Sequence, residues 1–84
     1  NLVALNNLAY LYQAQNFPEK AAKFAELALK AAPNEPQILD TVAMIYFKQG
    51  NLNEALAIIE KASSLAPNDG EIKKHFEEIK MATK

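Results

Sequence analysis

Cysteine is absent from these 84 residues, which excludes disulfides, thiolate metal sites and cysteine nucleophiles together and leaves the redox compartment open. Tryptophan is absent as well, glycine occurs only at Gly50 and Gly70, and histidine only at His75. Two isolated glycines cannot build a phosphate-cradling loop, so nucleotide binding by that route is excluded. No charge of one sign dominates, because nine basic and ten acidic side chains leave a net charge of −1. Without a positive field, nucleic acid is not an expected partner. Apolar runs fall short of the roughly 18 residues of a membrane span, and the N-terminus lacks the basic-then-apolar layout of a signal peptide. No membrane insertion is expected, and a soluble chain of either the cytoplasm or a bacterial periplasm fits this pattern. The chain opens on Asn1-Leu2-Val3 without an initiator methionine, already inside an apolar-periodic segment, which predicts a fragment of a longer protein.

Half of the residues are hydrophobic, enough for one small packed domain rather than a disordered tail. A chain of this size buries only roughly 60–65% of its unfolded surface, so its stability depends on regular elements. The regularity is a repeat. Shifting the sequence by 34 residues pairs Leu5 with Leu39, Ala9 with Ala43, Tyr12 with Tyr46, Gln15 with Gln49 and Ala21 with Ala55. The same shift pairs Glu26 with Glu60, Ala28 with Ala62, Ala32 with Ala66, Pro33 with Pro67 and Asn34 with Asn68.

Within each copy the apolar positions follow helical spacing, as in Leu39, Val42, Ala43 and Tyr46, then Ala55, Leu56, Ile59 and Ala62. Each copy therefore reads as two helices. Asn16 and Gly50, at matching positions, are the residue types that most easily enter the left-handed conformation that ends a helix. Asn34 and Asn68, each followed three residues later by Gln37 or Glu71, predict capping boxes for the helices that follow. The spacing predicts helices over about 2–15, 18–31, 36–49, 52–65 and 69–82.

A 34-residue helix-turn-helix period resembles the tetratricopeptide repeat, whose pattern is W-x2-L-G-x2-Y, then A-x3-F, then A and P. In the second copy Leu39, Val42, Ala43, Tyr46, Ala55, Ile59, Ala62 and Pro67 stand at those positions. The first copy resembles it through Leu5, Leu8, Ala9, Tyr12, Ala21, Ala25, Ala28 and Pro33, with Phe24 expected to fill the space beside the small Ala25. Both copies carry Ala where the pattern has Gly, and neither carries Trp, which implies slightly wider helix spacing. The resemblance implies an all-α, right-handed solenoid of antiparallel helices in a single domain, 1–84, with repeats at about 2–35 and 36–69. A last helix at about 69–82 has one apolar stripe, Ile72, Phe76 and Ile79, while Lys73, Glu77 and Lys80 replace core positions. It reads as a terminal cap with a solvated face, supported by Lys73/Glu77 and Lys74/Glu78 pairs worth about 0.2–0.5 kcal/mol each.

Catalytic chemistry is hard to find. His75 has no second histidine, cysteine or serine near it in sequence, and reads as a lone exposed helix residue. Glu71, Glu77 and Glu78 are interleaved with lysines, as solvated carboxylates are. Asn68-Asp69-Gly70-Glu71 lacks the alternating oxygen ligands of a calcium loop and reads as a turn and cap. No catalytic residue, cofactor or metal is expected, and the chain does not read as an enzyme.

The resemblance implies that ligand contacts line a groove formed by the first helix of each repeat. In the first copy those positions are Val3, Asn6, Asn7, Tyr10 and Gln13. In the second they are Gln37, Asp40, Thr41, Met44, Phe47 and Lys48. An apolar patch framed by amides and one carboxylate suits a protein partner, as a peptide or helix lying in the groove. The alternative is that the patch packs on neighbouring repeats or on a second copy of the chain. The clamp that holds chaperone C-terminal tails in this family is not expected here. Asn7 can fill one of its places, but Tyr10, Asp40 and Thr41 stand where it needs other residues. The expected function is thus a non-catalytic protein-interaction scaffold. The rival is a structural spacer in a longer solenoid, such as a bacterial envelope or polysaccharide-export assembly protein, which the wording N-N-L-A-Y-L and I-L-D-T-V resembles. Helix 1 lacks an identifiable cap, and Leu2, Val3 and Leu11 are expected to face a preceding repeat. That predicts weak self-association through the N-terminal face, since burying a few hundred Å² at about 25 cal/mol per Å² opposes the cost of association.

Overall fold

The computed structural model describes residues 2–84. Five helices follow in order: α1 (Leu2–Ala14), α2 (Pro18–Ala31), α3 (Pro36–Lys48), α4 (Leu52–Leu65) and α5 (Gly70–Ala82). These bounds agree with the periodicity to within about a residue, and no strand occurs among the described residues. The repeat is visible in the backbone itself. Asn16 and Gly50 take φ of 66° and 84°, in the left-handed region. Behind them the Phe17 N–H donates to the Tyr12 carbonyl at 2.8 Å and the Asn51 N–H to the Tyr46 carbonyl at 2.9 Å. With the Asn16 N–H donating to the Gln13 carbonyl and the Gly50 N–H to the Phe47 carbonyl, both at 3.1 Å, each turn makes the paired bonds of a Schellman stop, 34 residues apart. A Cβ at Gly50 would meet nothing within 4 Å, so the requirement there is backbone φ rather than space.

The helix starts correct the sequence reading. Asn34 and Asn68 do not cap; the N-cap positions are Glu35 and Asp69, one residue later. Glu35 makes no side-chain cap bond, and Pro36 opens α3 where a missing N–H costs nothing. Asp69 Oδ1 accepts from the Glu71 and Ile72 N–H groups at 3.0 and 3.1 Å, while Oδ2 accepts from Gln37 Nε2 at 3.0 Å. The shorter Asx reach, two and three residues ahead, suits Asp69 better than Asn68. The Ile72 N–H bond is the main cause holding its carboxyl below the usual range. The cap is therefore complete above that range and is lost as pH falls through the lowered value.

Short turns fold α1 onto α2 and α3 onto α4; α2 and α1 then meet α3, and α5 closes over α4 and α3. The contact positions are small: Ala9, Ala21, Ala28, Ala43, Ala55 and Ala62 are all buried, which lets the helices approach closely. Leu39, Val42, Ile59, Ile72 and Ile79 supply the largest fully enclosed side chains. Phe24 stacks on Tyr12, with ring centroids 5.5 Å apart and 9° between planes, and fills the space beside buried Ala25 as its position implies. The result is an all-α helical repeat fold.

On α5, Ile72 and Ile79 are buried, Phe76 is half-buried, and Lys73, Glu77 and Lys80 are exposed. The expected Lys73/Glu77 and Lys74/Glu78 ion pairs do not form: among the described residues the ion pair that does form joins His75 to Asp40. Fully solvated lysines gain too little from such pairs to be held in one geometry.

Candidate partner-binding face

Helices α1, α3 and α5 enclose a concavity of about 200 Å³. From α1 it is lined by Tyr10, Gln13 and Ala14, from α3 by Asp40, Thr41, Met44, Ile45 and Lys48, and from α5 by Glu71 and His75. The α3 residues fall at i, i+1, i+4, i+5 and i+8, one stripe of a helix. Lys48 thus stands about 12 Å along the helix axis from Asp40, at 1.5 Å per residue. A more open hollow of about 440 Å³ shares Gln13 and Lys48 with it and runs on toward Pro18, Gln49 and Asn51. Gln49 Nε2 donates to Gln13 Oε1 and to the Pro18 carbonyl, both at 2.9 Å, and so ties the second hairpin to the first beneath this surface.

Six of the eleven residues expected to line a groove meet in the smaller concavity: Tyr10, Gln13, Asp40, Thr41, Met44 and Lys48. The others are placed elsewhere. Val3 and Asn7 are exposed on α1 outside it, and Asn6 has a buried Oδ1 with no hydrogen-bond partner among the described residues. Gln37 is committed to Asp69. Phe47 is half-buried against the core, as is Met44, so packing within the fold accounts for much of their apolar character. Of Tyr10, Met44 and Phe47, Tyr10 alone is largely open, at 62% exposed.

His75 overturns its reading as a lone exposed residue. Its Nδ1 lies 2.7 Å from Asp40 Oδ1, and both side chains are mostly covered. With Asp40 ionised, Nδ1 carries the hydrogen and donates, which leaves Nε2 as an acceptor. The partners are 35 residues apart. Neither position belongs to the repeat's core pattern, so no sequence signal joined them before α5 was placed.

Burial is the main influence on Asp40 and pushes its carboxyl above the usual carboxylate range; Glu71 and Asp69 push the same way, against the hydrogen bond and charge of His75. An acid raised in the folded state gives its full contribution to stability below the unfolded value and loses it as pH rises through the folded value. Asp40→Asn keeps an acceptor for His75 but cannot ionise. The melting temperature of this variant minus that of the parent is therefore expected to shift upward between about pH 3 and about pH 7. Thermal denaturation of both chains across that interval checks it; a flat or falling difference refutes the assignment.

Two comparisons decide the family. A family model for the tetratricopeptide repeat matches residues 18–75, well over half of the chain, and a second tetratricopeptide repeat model matches residues 2–32. The chain belongs to the tetratricopeptide repeat family. A search of curated proteins finds no match. Tetratricopeptide repeats generally mediate protein–protein interactions, and the family is typically a non-catalytic scaffold. Among the described residues no group of three His, Asp or Glu side chains is placed to hold a metal, and no helix is long and apolar enough to cross a membrane. The tetratricopeptide repeat pattern locates the α1 and α3 sides of the concavity. It is silent about Glu71 and His75, because α5 abandons that pattern.

Proposed function

We propose that the chain is a non-catalytic protein-interaction module whose α1/α3/α5 concavity receives a peptide or a partner helix. The observation that supports this is the makeup of the concavity. Tyr10, Met44 and Ile45 offer apolar contact, while Gln13, Thr41, Asp40 and Lys48 frame it with groups that orient a ligand.

Tyr10 is the discriminating residue, since its side chain is open to solvent and the fold does not lean on it. Phe47, although on the same helix as Met44, would confuse binding with stability because it packs against the core. Peptides selected by display against the chain are expected to lose about tenfold or more in affinity on Tyr10→Ala, as aromatic anchors do. Titration calorimetry measures the loss, and circular dichroism should show an unchanged helical spectrum. Selected peptides that are indifferent to Tyr10→Ala would move the reading to the structural spacer.

One observation favours that second reading. Ile45 in α3 is 3% exposed, whereas Leu11, its counterpart in the first copy, is 49% exposed. A face of the kind that α3 covers within the chain is open on α1, and Val3 is exposed beside it. Leu2 is already packed in part against the core.

A further inference from the structure

We propose that the α1/α3/α5 concavity takes the cationic side chain of a lysine or arginine from the partner peptide, with its stem against Tyr10 and Met44 and its charge between Asp40 and Glu71. The inference rests on the interaction reading above and names the chemistry of the residue that fills the site.

Asp40 is the decisive group. It is 7% exposed, yet it lines the concavity. Its Oδ1 is occupied by His75 Nδ1 at 2.7 Å, and its Oδ2 makes no hydrogen bond among the described residues. Asn6 Oδ1 is the fully buried unpartnered side-chain oxygen among the described residues, so Asp40 Oδ2 is still reached by solvent through the concavity, and displacing that solvent without supplying a donor is costly. An apolar occupant would expel water from Asp40 and return nothing, whereas an ammonium or guanidinium would supply the missing donor with a charge. Glu71 adds a second carboxylate on the α5 side, exposed and free to turn toward the ligand.

The neighbouring charges agree in sign. Asp69 lies near enough to act on Asp40 electrostatically, as does Glu71, and both disfavour further negative charge there. Asp69 is not itself a ligand candidate, because its two oxygens are held by the α5 N–H groups and by Gln37. The lysine facing the site is Lys48, about 12 Å away along α3, and His75 is already turned to Asp40 as a donor. An acidic side chain would therefore be repelled at the Asp40 end. A metal ion is not the occupant that fits, since no three His, Asp or Glu side chains converge among the described residues.

Peptide display on the chain tests this directly. Selected sequences are expected to share a lysine or arginine at one position, and a capped synthetic peptide with norleucine there, which keeps the stem and drops the charge, should bind about tenfold more weakly. In Asp40→Asn, and independently in Glu71→Gln, that preference should shrink toward parity. Glu71 is exposed, so its variant keeps the test valid if Asp40→Asn disturbs the fold. Selected peptides without a shared basic residue, or a lysine-to-norleucine preference unchanged in both variants, overturn the inference. If such peptides still depend on Tyr10, the interaction module stands and only the cationic occupant falls; if none depends on Tyr10, both fall.

Discussion

Ile59→Ala is expected to lower the unfolding free energy by about 2–5 kcal/mol, the range for removing a large aliphatic side chain from a closed core. Ile59 is fully buried on α4, the helix that packs against both α3 and α5. Removing most of this enclosed side chain takes apolar contact out of the closed core and leaves a cavity behind. A chain of this length has a total stability of about 4–13 kcal/mol at roughly 0.05–0.15 kcal/mol per residue. One substitution thus removes a large fraction, and the melting temperature should fall by more than about 10 °C. Leu27→Ala serves as the control. Leu27 is 42% exposed, and its loss should shift the midpoint far less. Urea denaturation with an unchanged slope, read beside the thermal midpoint, separates a true loss of stability from a change in the unfolded state. A midpoint shift no larger than that of Leu27→Ala would show that the core relaxes around the site.

The second large effect is expected in α5. Ile72 and Ile79 are both fully buried, two turns apart on one face, and they supply the enclosed apolar contact that fastens this helix to α4 and α3. Each alanine substitution costs about 2–5 kcal/mol, and sites about 10 Å apart combine almost additively. The polar face cannot compensate, because Lys73, Glu77 and Lys80 are exposed. What remains are half-buried Phe76 and, at the N-terminal end of the helix, the His75–Asp40 contact and the Gln37–Asp69 bond. Repeat folds are stabilised mainly through nearest neighbours, so α5 in the double variant Ile72→Ala, Ile79→Ala is expected to open while α1–α4 stay helical. Amide hydrogen exchange would show lost protection over residues 70–82 ahead of the first hairpin. Retained protection there would mean that the polar contacts hold α5 more firmly than its apolar stripe. Because Glu71 and His75 ride on α5, the same variant should also lose the preference for a basic residue that is proposed for the concavity.

The helices, their order and most of the core were legible from periodicity alone. Two helices every 34 residues place alanines at Ala9, Ala21, Ala28, Ala43, Ala55 and Ala62, and each is buried. The left-handed stops at Asn16 and Gly50 were legible for the same local reason, since few residue types tolerate positive φ. Caps were less so. Asn68 and Asp69 are both good capping residues one position apart, and only the path of the chain decides which carboxyl or amide meets the free N–H groups.

The site divides along the same line. Tyr10, Gln13, Asp40, Thr41, Met44 and Lys48 could be named because they occupy faces of α1 and α3 that the repeat's core pattern leaves unused. Phe47 could not be sorted from them, since one helical position decides whether a ring turns to the groove or to the core. His75 and Glu71 were out of reach altogether.

The sequence by itself therefore determined the all-helical repeat, its stops and its buried alanines, because those depend on local conformational preference and on spacing within about two turns. Only the tertiary structure decided that α5 swings Glu71 and His75 over α3, pairs His75 with Asp40 and leaves a carboxylate oxygen facing a cavity. That contact spans 35 residues and depends on the angle at which α5 packs, which is set by the shape of the whole core rather than by any pattern along the chain.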